Sequence, residues 1–210
     1  MDAKFWIKAW QDGRTAFHQG TYNASMMKYF SLFRPQPGQK VLVPLCGKTK
    51  DMLWLHEQGM KVHGIEWYAQ AVEDFFAENR LAPVTTTHHR HTYQNITLEA
   101  GDFFLLAGQE QYDFIYDRAA LVALPQELRK HYAEVIQRSL VTGGKCLLIV
   151  CEYRQDQMDG PPFSVNSAEV QSLYQDRCKI TLLETQLPSE GDRFAELEGF
   201  CQRVYVLEKN

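Results

Sequence analysis

With 210 residues, 45% hydrophobic content and a net charge of −4, the chain suits one globular domain with a full core, residues 1–210. Its mild acidity argues against nucleic acid as the main partner, because phosphate binding draws on a concentrated basic patch, and no stretch approaches the roughly 18 apolar residues that a membrane span needs. Five cysteines without a CxxC pair, and no apolar leader at the N-terminus, favour a reducing cytoplasm over a disulfide framework.

Residues 1–37 are rich in aromatics. Phe5, Trp6, Ile7 and Trp10 recur at helical spacing, which predicts an amphipathic helix over Ala3–Gln11. A turn at Asp12-Gly13-Arg14 and a polar stretch carrying His18 follow. A short helix over Ser25–Phe33 then stops before Pro35 and Pro37. An aromatic segment in front of a nucleotide-binding strand is expected to act as a lid over the ligand, the alternative being packing against the sheet edge.

The chain is organised around Gln39–Glu66. This stretch reads as a strand (Lys40–Leu45), a tight turn at Cys46-Gly47-Lys48, a helix through His56 and a second strand (Lys61–Ile65) ending on the acid Glu66. Such a unit is the nucleoside-binding half of a doubly wound α/β sheet. Gly47 lets the backbone approach a ligand, and Glu66, about 20 residues past it, stands where such folds place the acceptor for ribose hydroxyls. A dinucleotide site shows G-x-G-x-x-G, whereas this turn has one glycine. That suits a nucleoside carrying a carboxylate and an ammonium, so S-adenosyl-L-methionine leads over NAD. Position 42 is Leu, which removes the phosphate-loop pattern.

Tyr68–Arg80 reads as a helix on the spacing of Val72, Phe75 and Phe76. Residues 82–95 read as a loop. His88-His89-Arg90-His91 within them invites a metal, but adjacent side chains diverge, no Cys or acid completes a shell and Arg90 repels a cation, so no metal is expected. Strands follow at Ile96–Glu99 and Tyr112–Tyr116, the first leading to Gly101-Asp102-Phe103-Phe104 and the second to Asp117-Arg118. Pro125 opens a helix with Leu128, Tyr132, Val135, Ile136 and Leu140 on its apolar face. Gly143-Gly144 precede a central strand, Lys145–Cys151. The rigid loop Gly160-Pro161-Pro162-Phe163 comes next, then a capping box, Asn166 with Glu169, opening a helix to Tyr174. Lys179–Glu184 and Gln202–Leu207 form an antiparallel pair across a long polar segment. The expected fold is therefore α/β and Rossmann-like: a seven-stranded, mostly parallel sheet with a C-terminal antiparallel pair, helices on both faces and an N-terminal helical lid.

Ligands of such sheets bind beyond the carboxyl ends of the strands, where Leu45, Glu66, Asp102, Arg118 and the Gly160–Phe163 loop fall. Asp102 either accepts from an adenine amino group or caps a turn. Arg118 either pairs with Asp117 or faces the cleft to stabilise an anionic substrate. No nucleophile–base–orienter set is visible, and methyl transfer needs none.

These stretches together resemble the thiopurine S-methyltransferase family, in its bacterial branch, over essentially the whole length. The resemblance rests on Phe5–Trp10 (FWIKAW) with Phe17-His18, Leu42–Leu55 (LVPLCGKTKDMLWL), His63–Glu66 (HGIE), Gly101–Phe104 (GDFF), Tyr116–Pro125 (YDRAALVALP) and Gly160–Val165 (GPPFSV). It implies a class I methyltransferase fold, S-adenosyl-L-methionine as donor and cytosolic S-methylation of aromatic and heterocyclic thiols such as 6-mercaptopurine. Selenium or tellurium compounds are the alternative acceptors, and an NAD-dependent oxidoreductase is a more distant alternative. By the same resemblance, Trp10 closes over the cofactor, Leu45 and Glu66 contact it, Gly101 and Asp102 touch adenine, and Arg118 binds the cofactor at its substrate end and the substrate beside it, with Arg193 as a second substrate-side arginine. His18, a proton acceptor or else a structural histidine, and Phe163 complete the expected substrate side. Thr49 replaces the serine usual in the family's GKS and keeps the hydroxyl; Trp67 is bulkier than expected beside the ribose acid. The expected partner is a small-molecule thiol, the expected state a monomer, with neither nucleic acid nor membrane involved.

Overall fold

A computed structural model describes residues 3–15, 18–87, 89–108, 110–189 and 191–210. The N-terminal helices are α1 (Ala3–Gln11) and α2 (Ala24–Phe30), the second started by the Asn23 side chain accepting from the Met26 N–H. The nucleoside-binding unit folds as β1 (Lys40–Pro44), α3 (Asp51–Glu57), β2 (Lys61–Glu66) and α4 (Ala69–Glu78). Four apolar residues in a row in β1 and a fully buried run in β2 fit strands covered on both faces.

Residues 82–95, expected as a loop, form the hairpin β3 (Val84–Thr87) and β4 (Arg90–Tyr93), which pairs antiparallel with β5 (Ile96–Ala100). Its sequence is rich in threonine and carries no apolar alternation, so period-2 patterning misses it. An edge hairpin is held by backbone bonding to its neighbour and needs no apolar face. His88 of the proposed and rejected metal cluster lies outside the described residues.

The chain continues through α5 (Phe103–Leu106), β6 (Tyr112–Arg118), α6 (Gln126–Ser139), β7 (Leu140–Glu152), α7 (Ser167–Tyr174), β8 (Cys178–Gln186) and β9 (Cys201–Lys209). The sheet therefore has nine strands rather than seven, in the order β3-β4-β5-β2-β1-β6-β7-β9-β8. β5, β2, β1, β6 and β7 are parallel; β9 runs antiparallel to β7, and β8 to β9. Leu140 begins β7 instead of continuing the apolar face of α6. The strand runs on through Gly143, at φ +74°, and Gly144, where an added Cβ would lie 2.8 Å from the Val141 carbonyl oxygen. Glycine there lets the strand bend without breaking.

Two cores flank the sheet. Phe103, Tyr132, Val135, Ile136, Val170 and Tyr174 pack on one face. Met26, Phe30, Met52, Leu55, Val72 and Phe75 pack on the other. Each fully buried apolar side chain of this size contributes about 1.5–3 kcal/mol. Helices thus cover both faces, and the carboxyl ends of the five parallel strands open toward α1. No described helix is long and apolar enough to cross a membrane.

Under the β6 end sits Asp117, fully buried. It accepts from the Tyr132 O–H at 2.8 Å and the Leu121 N–H at 3.2 Å, and burial pushes its pKa up to about 6. A carboxyl group whose folded pKa exceeds its unfolded value of 3.8 stabilises the fold below that value and loses this contribution as pH rises toward 6. The stability of the wild type relative to Asp117→Asn is therefore expected to fall by about 2 kcal/mol between pH 4.5 and 7. Denaturant unfolding at both pH values checks this, and parallel profiles for the two proteins would refute it.

Candidate active site

A cavity of about 800 Å³ opens at the carboxyl ends of β1, β2, β6 and β7. Its walls include Trp10, His18, Leu45, Gly47, Glu66, Arg118 and Arg193 among the residues expected from the sequence. The backbone at its mouth is unusual. Leu45 and Ala119 hold left-handed conformations at φ 45° and 63°, in the turns that follow β1 and β6. Non-glycine residues in that region cost on the order of 1 kcal/mol or more each, and such strain gathers where a site is shaped.

Gly47 follows at φ +52°, and a Cβ built on it would lie 3.2 Å from Cζ2 of Trp10. The glycine is thus required twice, for its conformation and for the ring seated on it. Trp10 reaches that position from α1, stacked 6.0 Å from the Tyr68 ring with 17° between planes. Lys48, 5.9 Å from the same indole, is tied to Glu78 and Asp74 on α4.

Glu66, 7% exposed, closes the turn from the next strand. Its Oε2 accepts from the Gly47 N–H at 2.8 Å and its Oε1 from the Tyr68 N–H at 2.9 Å. Burial pushes its pKa up, and the N–H groups of Tyr68, Gly47 and Trp67 pull it back. A carboxylate oxygen can accept two hydrogen bonds, so acceptor capacity is left for a vicinal diol beside the turn. Gly101 donates its N–H to the Glu66 carbonyl at 2.8 Å, and Asp102 caps α5 by accepting from the Phe104 N–H at 2.9 Å. Both stand next to Glu66 at the ends of β2 and β5 but outside the cavity wall, and the capping alternative for Asp102 is the one observed.

At the other end, Arg118 is half-buried and its side chain makes no hydrogen bond or ion pair among the described residues. The alternative pairing with Asp117 does not occur, since that carboxylate is engaged by Tyr132 and Leu121. His18 lies in the same wall, its pKa lowered first by burial and then by Lys48, with Arg118 contributing. The lowering favours its uncharged form. Phe17 lies outside the described residues.

Phe163 is not in the wall. Its ring packs on Gly160, where an added Cβ would meet it at 2.6 Å, and its N–H donates to the Val122 carbonyl at 2.7 Å. Pro161 and Pro162 line the cavity in its place. The loop is fixed by buried Arg129, which donates to the Ser164 and Leu124 carbonyls and pairs with Glu169 at 2.8 Å. In the predicted capping box, Asn166 accepts from the Glu169 N–H, while the Glu169 carboxylate serves Arg129. The segment between β8 and β9 supplies Arg193, 4.3 Å above the Phe194 ring, and Phe194 stacks on Phe200 at 4.7 Å.

Sequence reading missed Asp51, Tyr116 and Gln186, which also line the cavity, as does Trp67, singled out for its bulk beside the ribose acid. Asp51 opens α3 and looks like an ordinary helix-start acid. Its burial and its bond to Tyr116, 65 positions away, exist only in the folded chain.

A parallel sheet capped by an antiparallel pair, a one-glycine turn and a buried acid at the tip of the second strand define the class I methyltransferase type of nucleoside-binding fold. Solved structures agree on the fold. The 1,6-didemethyltoxoflavin-N1-methyltransferase of Burkholderia thailandensis superposes with TM-score 0.68 at 17% identity, covering 99% of this chain and 87% of that one. A TehB-like SAM-dependent methyltransferase of Corynebacterium glutamicum superposes with TM-score 0.63 at 15% identity, covering 99% and 98%. The thiopurine S-methyltransferase family model matches residues 1–210. Curated thiopurine S-methyltransferases of Bordetella petrii and Vibrio cholerae are 44% and 38% identical, each over 100% of this chain and 99% of the relative. The chain belongs to the thiopurine S-methyltransferase family, and it is a methyltransferase dependent on S-adenosyl-L-methionine.

Proposed function

We propose that the protein transfers the methyl group of S-adenosyl-L-methionine to the sulfur of small aromatic or heterocyclic thiols, thiopurines among them. The carrying observation is Arg118, a guanidinium without a protein partner among the described residues, in a wall shared with Phe5, Phe194 and Phe200. A flat ring fits the aromatic surface, and the guanidinium fits a thiolate. A selenium or tellurium oxyanion would use the cation and leave the aromatic wall unused, so the ring acceptor is favoured.

The residues fit the cofactor. Glu66 would take the ribose hydroxyls, Leu45 and Gly47 would face the nucleoside from the turn, and Gly101 with Asp102 would flank adenine from the β5 end. Trp10 on α1 would close over it as a lid. When bound, S-adenosyl-L-methionine supplies a methyl group already activated on a sulfonium. The protein's work is to position the acceptor sulfur, exclude water and hold the thiol as thiolate. Arg118 does the last by charge pairing. His18, kept uncharged, leaves Arg118 as the main cation at that place, and Arg193 holds the acceptor's far side. Heterocyclic thiols are acidic enough to need no dedicated base. A monomer in a reducing cytoplasm completes the proposal, in keeping with five free, buried cysteines.

Labelled methyl transfer to 6-mercaptopurine, run beside selenite, tests the reading. Saturable S-methylation of the thiopurine is expected. Turnover of selenite with none of any aromatic thiol would overturn the acceptor class.

A further inference from the structure

The cavity wall holds two buried carboxylates among the described residues, Glu66 and Asp51. The proposed binding mode gives Glu66 to the ribose and leaves Asp51 unexplained. Asp51 is 1% exposed. Its Oδ2 accepts from the Tyr116 O–H at 2.8 Å and its Oδ1 from the Asn23 N–H at 2.8 Å. No lysine, arginine or histidine forms an ion pair with it among the described residues. Of the cations lining the cavity, Lys48 is bound to Glu78 and Asp74, Arg14 to Asp12, Arg193 lies over the Phe194 ring, and Arg118 forms no ion pair with Asp51 or any other described residue.

Two neutral donors do not call for a charged acceptor. An asparagine would serve the Tyr116 hydroxyl and the Asn23 N–H at far lower desolvation cost, because a buried carboxylate without a cation is among the costlier groups a fold can carry. With Arg118 given to the acceptor in the proposed reading and not bonded to Asp51, the charge kept at this wall has its partner in the ligand. The methionine half of S-adenosyl-L-methionine brings one ammonium into this cavity. In a site walled by protein, the field of a buried carboxylate acts strongly on a cation across short distances even with little exposed surface.

We infer that Asp51 is a positioning residue that supplies the counter-charge for the amino group of the cofactor's methionine half. Tyr116 orients its carboxylate from β6. Asn23 links the same carboxylate to the start of α2, so the group that senses the ammonium also anchors the chain leading back to α1. The assignment rests on the cavity being the S-adenosyl-L-methionine site, and the test separates the two.

The experiment is calorimetric titration of wild type and Asp51→Asn with three ligands: S-adenosylhomocysteine, its deaminated analogue with hydrogen in place of the amino group, and methylthioadenosine, which lacks the amino acid. Wild type is expected to prefer S-adenosylhomocysteine over the deaminated analogue by about 10-fold or more, the size of one charge-assisted contact. Asp51→Asn should shrink that preference to about 2-fold while binding methylthioadenosine as wild type does. Equal weakening of all three ligands in the variant would show a structural role and overturn the inference. So would a wild type indifferent to the amino group, a result that needs no variant to fold. Failure of wild type to bind any of the three would instead remove the cofactor assignment beneath it.

Discussion

Replacing Glu66 by alanine is expected to weaken S-adenosylhomocysteine binding by about 100-fold or more, since two charge-assisted hydrogen bonds to a diol contribute about 1.5–3 kcal/mol each. The loss has a second source. Glu66 accepts from the Gly47 and Tyr68 N–H groups, so its removal leaves two donors at the turn without their partner and loosens the seat of Trp10. Unsatisfied buried donors cost about 1–3 kcal/mol each, so a lowered melting temperature should accompany the binding defect. Glu66→Gln keeps an acceptor toward the turn and should lose less of both. Because burial raises the carboxyl pKa, affinity should also decline from the acid side as Glu66 takes up a proton. Titration well below the melting temperature separates binding from folding. Wild-type affinity in a folded Glu66→Ala protein would remove Glu66 from the cofactor site.

Arg118→Ala is expected to lower kcat/KM for an ionisable heterocyclic thiol by about 30- to 100-fold, which corresponds to about 2–3 kcal/mol of lost stabilisation of the anionic acceptor. The sign with pH follows directly. A cation beside a thiol lowers its pKa, so without Arg118 the acidic limb of the pH–rate profile should move to higher pH. Arg118→Lys retains the charge and should restore part of the rate, though not the planar geometry of the guanidinium. A set of thiols of graded acidity sharpens the test: the most acidic, already ionised, should suffer least. An unmoved acidic limb would refute the thiolate role, and a defect confined to S-adenosylhomocysteine affinity would place Arg118 with the cofactor alone.

Much of this was legible before folding. Hydrophobic runs and turn residues determined the parallel strands, because buried strands and their punctuation are local features; the Asn166 cap and the β8–β9 pair were read the same way. The site residues Gly47 and Glu66 were visible because one turn and one strand place them at a fixed spacing along a single βαβ unit. The nine-strand count was not visible, since β3 and β4 gain their order from backbone pairing with β5 and carry no apolar signature. Nor was the displacement of Phe163 from the wall, which depends on its ring filling the space over Gly160.

The sequence by itself determined the α/β class, the nucleoside-binding unit, the family likeness and the chemistry of the residues at the strand ends, all of which are written in short stretches of chain. Only the tertiary structure decided that Arg118 is released from Asp117, because Tyr132 on α6 and the turn after β6 claim that carboxylate first. Only it buried Asp51 against Tyr116 and Asn23. Pairing partners and desolvation depend on which distant segments meet, and no local pattern encodes the meeting of residues 51 and 116.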